Sequence, residues 1–89
     1  MRGIRGEPVE VWLRDGRPAR FVWRGRMHTV IFVLERWVTL AATPDDGATA
    51  GAGGTERWRL EAAPERSVPP ATYELCRDLA SGRWLLWRA

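Results

Sequence analysis

Between residues 8 and 30 the sequence reads PVEVWLRDGRPARFVWRGRMHTV, with tryptophan and arginine interleaved throughout. Aromatic rings on a strand surface stack on unpaired bases, and guanidinium groups beside them hold the phosphates between those bases. The residues that fit this chemistry are Trp12, Arg20 and Arg24 as a platform, with Arg14, Arg17 and Arg26 at the adjoining turns as phosphate contacts. Tryptophan and arginine also dominate protein interfaces, so the same face suits a protein partner. A third account is an ordinary solvated face, with Arg20 paired to Glu10 and Trp12 covered by the C-terminal strand pair.

Catalysis has less to draw on. His28 is the only histidine and Cys76 the only cysteine, and the two fall on different expected strands. A lone cysteine permits no intramolecular disulfide and no cysteine-based zinc site within one chain. Asp15 and Asp78 sit at turns, where carboxylates bond nearby amides, and Asp45 and Asp46 sit in a loop too loose for paired-carboxylate chemistry. The glycines of GATAGAGG neither follow a strand nor lead into Lys-Ser or Lys-Thr, so a phosphate loop fails on context. The expectation is a non-enzymatic chain with no catalytic residues, no metal and no cofactor.

The elements that must hold the Trp and Arg residues are strands. VEVWLR at 9–14 alternates Val9, Val11 and Leu13 with Glu10, Trp12 and Arg14, the period of a half-buried strand. Ala19, Phe21 and Trp23 share a face of the next. A two-residue Asp15-Gly16 turn mixes apolar with polar residues across this pair. A three-residue Arg14-Asp15-Gly16 loop instead sets Val9 against Phe21, Val11 against Ala19 and Glu10 against Arg20, and is the register expected. Gly25 marks the second turn. Residues 27–40 carry apolar side chains on both parities, which implies a central strand covered on both faces or a bulge near Leu34 or Glu35; a short helix at VLERW is the alternative.

Residues 41–55 lack any apolar period and read as a flexible Gly/Ala-rich loop. ERWRLEAA at 56–63 sets Trp58, Leu60 and Ala62 against Arg57, Arg59 and Glu61, PERSVPP interrupts pairing, and 72–79 with 83–88 form a last hairpin about Ala80, Ser81 and Gly82. The fold class expected is all-β: a single domain over 1–89, built as a small antiparallel meander of about six strands, in a curved sheet or SH3-like barrel.

Composition sets outer limits. With 89 residues there is room for one small core, and six tryptophans supply much of its apolar area. The net charge is +3 with no lysine, a bias that reflects base composition more than partner. Its placement is more informative: residues 1–40 carry +4 and residues 41–89 carry −1, so a basic patch belongs to the first half. The opening residues lack the apolar run of a signal peptide and VIFVL is too short to span a bilayer, so a cytoplasmic location is expected.

GRPARFVWRGRMHTV, VLERW and YELCRDLASGRWLL together resemble a family of short uncharacterised β-proteins from actinobacteria. That family pairs a Pro-x-x-Phe-x-Trp-x-Gly segment with a C-terminal Tyr-x-Leu-x-Arg-Asp-x-x-Ser/Thr-Gly-x-Trp hairpin. The C-terminal part also resembles the tail of inactive Y-family polymerase homologues that belong to a DNA-damage mutasome. The likeness covers 8–39 and 72–88, and His28 and Cys76 stand where relatives often carry an aromatic residue. It implies a DNA-repair setting by association. The expected partner is therefore single-stranded DNA or RNA, or a protein of a DNA-handling complex; the alternative is a protein-interaction module or homodimer, docking through Trp84 or Trp87, with no nucleic-acid contact.

Overall fold

The computed structural model describes residues 6–40 and 54–88, and every regular element among them is a strand. These are β1 (Glu7–Pro8), β2 (Glu10–Arg14), β3 (Arg17–Trp23), β4 (Arg26–Leu40), β5 (Gly54–Ala63), β6 (Ala71–Asp78) and β7 (Trp84–Arg88). They form one antiparallel sheet in the order β1-β7-β6-β5-β4-β3-β2. From β2 to β7 it is a meander, each strand pairing with the next in sequence. Only Val9 separates β1 from β2, and its N–H donates to the Trp84 carbonyl at 3.3 Å. One stretch of chain thus pairs with β7 at its start and with β3 at its end, curling the sheet into a half-barrel. VLERW is strand throughout, not helix. The expected loop at 41–55 lies outside the described residues except for Gly54 and Thr55, which belong to β5.

The concave face follows from the alternation of β5. Trp58, Leu60 and Ala62 point inward and are buried, whereas Arg57, Arg59 and Glu61 point outward. Their cross-strand partners on β6, Leu75 and Tyr73, join the same core with Phe21 and Leu86. Aromatic rings fill its centre. Phe21 stacks on His28 with centroids 5.0 Å apart, and Tyr73 meets Phe21 edge-on at 5.5 Å. His28 is 4 % exposed, and its Nδ1 lies 2.9 Å from the Arg26 carbonyl oxygen. Cys76 is also buried, but it pairs with Arg57 on the opposite pleat, so His28 and Cys76 do not share a face.

The β2–β3 register differs from the three-residue loop expected. Arg14 pairs with Arg17 across a two-residue turn in which Asp15 (φ 54°) and Gly16 (φ 79°) are both left-handed, the turn that matches strand twist. The parity conflict is removed inside the ladder. Leu13 pairs with Pro18 and Trp12 with Arg20, so Ala19 is an extra residue that bulges out. Beyond it Val11 faces Phe21 and Glu10 faces Val22, correcting the expected Val9–Phe21, Val11–Ala19 and Glu10–Arg20 pairs. Arg24 and Gly25 make a second turn of the same kind. A Cβ at Gly16 meets nothing within 4 Å, so the cost of Gly16→Ala is the backbone conformation alone. A loss of about 1 kcal/mol is expected in urea unfolding, with the midpoint lowered and the slope unchanged.

β4 accommodates its two apolar parities with two irregularities, at Ile31 and at Leu34. The second was expected near Leu34; the first was not. β3 pairs with β4 only from Arg20↔Thr29 to Trp23↔Arg26 and then departs from it. Pro18 has no N–H to offer a ladder, and the Ala19 bulge adds twist, so the β2–β3 hairpin peels away from β4. The gap left behind is a groove between the hairpin and β4.

Candidate nucleic-acid interface

The groove encloses about 1060 Å³ between the peeling hairpin and β4. Trp12, Arg14, Arg17 and Arg20 line one bank, and Ile31 and Phe32 line the other. Trp12 and Arg20 are direct cross-strand partners on the convex face, which places ring and guanidinium side by side. Trp12, 45 % exposed, is the most open of the six tryptophans; Trp58 is buried and the other four are half-buried. Neither Glu10 nor the C-terminal hairpin takes up the platform. Glu10 faces Val22, and Trp12 stands between the groove and a second cleft of about 520 Å³.

Charge pairing separates this end from the rest of the sheet. Arg24, Arg26, Arg36, Arg57, Arg59 and Arg77 all form ion pairs, while Arg14, Arg17 and Arg20 have no carboxylate partner among the described residues. Arg66, Arg83 and Arg88 form none either, but Arg66 and Arg88 lie away from the groove. Asp15 is the one acid on its lining.

Four of the six site residues expected from sequence are therefore brought together. Arg24 and Arg26 are not among them, because the β3–β4 turn lies at the far end of β3 from the groove. There Arg24 donates to Glu7 through Nε at 3.2 Å and Nη2 at 2.8 Å, and Trp23 Nε1 donates to the same carboxylate at 2.8 Å. The Arg24 hydrogen bond, followed by that from Trp23, holds the Glu7 carboxyl below its ordinary value. Arg26 reaches Glu65 at 3.4 Å. Both arginines act in tying β1 and the 64–70 turn region to the β3–β4 hairpin.

Three residues that line the groove or its neighbouring cleft have no clear mark in the sequence. Phe32 is 61 % exposed across the groove from Trp12; its signal was the apolar residue on the wrong parity of VIFVL, which two covered faces also explain. Ile31 is brought to the same bank by the irregularity that starts there. Arg83 lines the second cleft on the far flank of Trp12, brought there by the pairing of β1 with β7 across 70-odd residues of sequence, which no local pattern shows.

Among the described residues no three histidine, cysteine or acidic side chains gather as a metal site, and no helix is long and apolar enough to cross a membrane. Comparison with curated proteins and with solved structures gives no match. A family model described as a domain of unknown function, DUF6504, matches residues 1–89. The chain, an all-β half-barrel with an open Trp/Arg groove, is a member of the DUF6504 domain family.

Proposed function

We propose that this domain binds single-stranded nucleic acid as a non-enzymatic accessory to DNA handling, using Trp12, Phe32, Arg14, Arg17 and Arg20. The observation that carries the reading is the pairing of an exposed Trp12 with Arg20 at a groove whose arginines have no carboxylate partner among the described residues. Six other arginines have carboxylate partners, whereas the three gathered beside the exposed rings have none among the described residues, which suits them to phosphate. Arg83, on the other flank of Trp12, extends the same track into the second cleft. The repair setting is part of the proposal and rests on the resemblance of YELCRDLASGRWLL to the tail of inactive Y-family polymerase homologues.

Intrinsic tryptophan fluorescence tests the reading during titration with a single-stranded oligonucleotide at low and high salt. The expected result is quenching that weakens with salt, with a log–log slope of about −2 if three phosphates are neutralised. Trp12→Ala is expected to cost about 1–3 kcal/mol of binding, the usual worth of one stacked base. Arg20→Ala lowers both affinity and the salt slope, by about 0.7 in the latter. No quenching at low salt, or quenching unchanged in Trp12→Ala, sinks the proposal.

A further inference from the structure

The convex face around Trp12 holds one group that phosphate contacts do not explain. Glu10 lies two residues before Trp12 on β2, so the two side chains share a face about 7 Å apart along the strand. Glu7, Glu35, Glu56, Glu65 and Glu74 all form ion pairs, whereas Glu10 forms none among the described residues. Of the other acids without one, Asp78 accepts from the Ala80 N–H at 2.9 Å, and Asp15 belongs to the tight β2–β3 turn. Glu61 lines neither the groove nor the second cleft, which leaves Glu10 as the unpaired carboxylate beside the exposed ring. The register shows why it has no partner. Across the face the row through Glu10 continues as Val22 and Met27, neither of which has a side-chain donor, and the next row is Trp12, Arg20 and Thr29. Arg20 is thus the direct neighbour of the ring and not of the carboxylate. A carboxylate in this position repels phosphate, so on a surface that holds a nucleic-acid backbone it costs affinity unless it accepts hydrogen bonds from a base.

Resting on the single-strand reading above, we propose that Glu10 selects guanine as the base stacked on Trp12. A base on that ring extends along β2 toward Glu10, while Arg20, across the strand pair, holds the adjoining phosphate. A carboxylate is acceptor-only, and its two oxygens take two parallel N–H donors. Guanine presents such a pair on its Watson–Crick edge, N1–H and the N2 amino group. Cytosine and adenine each present one amino group next to a ring-nitrogen acceptor, and thymine and uracil present one N–H between two carbonyl oxygens. Each of these sets a lone pair against the carboxylate, which is the unfavourable half of the discrimination. The arginines along the groove meet phosphate whatever the sequence, so base choice falls to this one carboxylate.

Fluorescence titration of the full chain at one low salt concentration tests the assignment, using a short oligo-dT and the same strand with one central dG, dC, dA or deoxyinosine. The dG strand is expected to bind about tenfold more tightly than unsubstituted oligo-dT, the discrimination of one bidentate pair. The deoxyinosine strand, which lacks the N2 amino group, is expected to lose most of that gain. Glu10→Gln keeps the shape of the side chain but replaces one acceptor by a donor. It is expected to bring the dG and oligo-dT affinities within about twofold of each other, with oligo-dT binding kept or strengthened. A loss of folding would weaken every strand alike, so the ratio between strands isolates the role of the carboxylate. Salt-sensitive quenching of equal affinity for all the strands overturns the guanine assignment and leaves the single-strand reading standing, whereas no quenching by any strand removes both. A dG preference that survives in Glu10→Gln, or that deoxyinosine matches, also overturns the assignment.

Discussion

Phe21→Ala is expected to lower stability by about 3–5 kcal/mol, the range for emptying a buried aromatic site. Phe21 is 0 % exposed and is flanked on both sides, by Val11 on β2 and His28 on β4, with Tyr73 against its edge. Its ring therefore fills the space where the peeling hairpin rejoins the sheet. A domain of this size has total stability near the low end of about 5–15 kcal/mol, so the variant is expected to be largely unfolded at body temperature. Phe21→Leu keeps most of the volume and is expected to cost under about 1.5 kcal/mol. Urea unfolding followed by near-ultraviolet circular dichroism separates the two, and a Phe21→Ala loss below about 1 kcal/mol contradicts this packing.

The second large effect concerns Glu56, which is 5 % exposed. Arg36 donates to it through Nε at 3.0 Å and Nη2 at 2.7 Å, and Arg77 through Nη2 at 2.9 Å. The guanidinium groups in turn lie over Trp58 at 5.1 Å and Trp84 at 5.0 Å. Burial alone acts to raise the Glu56 pKa, but the hydrogen bonds from Arg36 and Arg77 outweigh it and hold the carboxyl below its ordinary value of 4.5. A carboxyl with a depressed native pKa binds its proton more readily unfolded than folded. Its stabilisation is complete above the ordinary value and is lost as pH falls through the depressed one. Glu56→Gln is expected to cost about 2–3 kcal/mol at neutral pH, moderated because Arg36 stays half exposed to water. The same variant is expected to flatten the acid limb of the stability–pH curve. An acid limb identical to wild type refutes the role given to this carboxylate.

The strands could be read from the sequence because their periods are local. Trp58, Leu60 and Ala62 alternate with charged neighbours, and Asp15-Gly16, Arg24-Gly25 and Gly82 mark turns that the chain does use. Register was harder. The Val11–Phe21 pairing depends on a bulge at Ala19, and a one-residue bulge leaves no compositional mark; parity in the sequence implies a three-residue loop, whereas the fold restores parity inside the ladder. The placement of Trp12 and Arg20 on one face holds nonetheless, since both registers give it. Arg24 and Arg26 lie close to Trp12 and Arg20 in sequence, but the length of β3 carries them to the other end, where Glu7 and Glu65 engage them. Arg36, Glu56 and Arg77 come from three strands and could not be joined without the topology.

The single stretch that serves as both β1 and β2 has a consequence for the order of assembly. Glu7 finds its partner in Leu86 and Pro8 in Leu85, so the first of the described strands pairs with the last. The meander from β2 to β7 can form hairpin by hairpin as the chain lengthens, at low loop-closure cost, whereas joining β1 to β7 closes a loop spanning nearly the whole chain. The meander can therefore form as an open sheet whose concave face is still wet, and the half-barrel is completed when β1 docks on β7. In that open sheet the edge of β7 that β1 covers stands bare, beside the tryptophans Trp58 and Trp84 of the concave face.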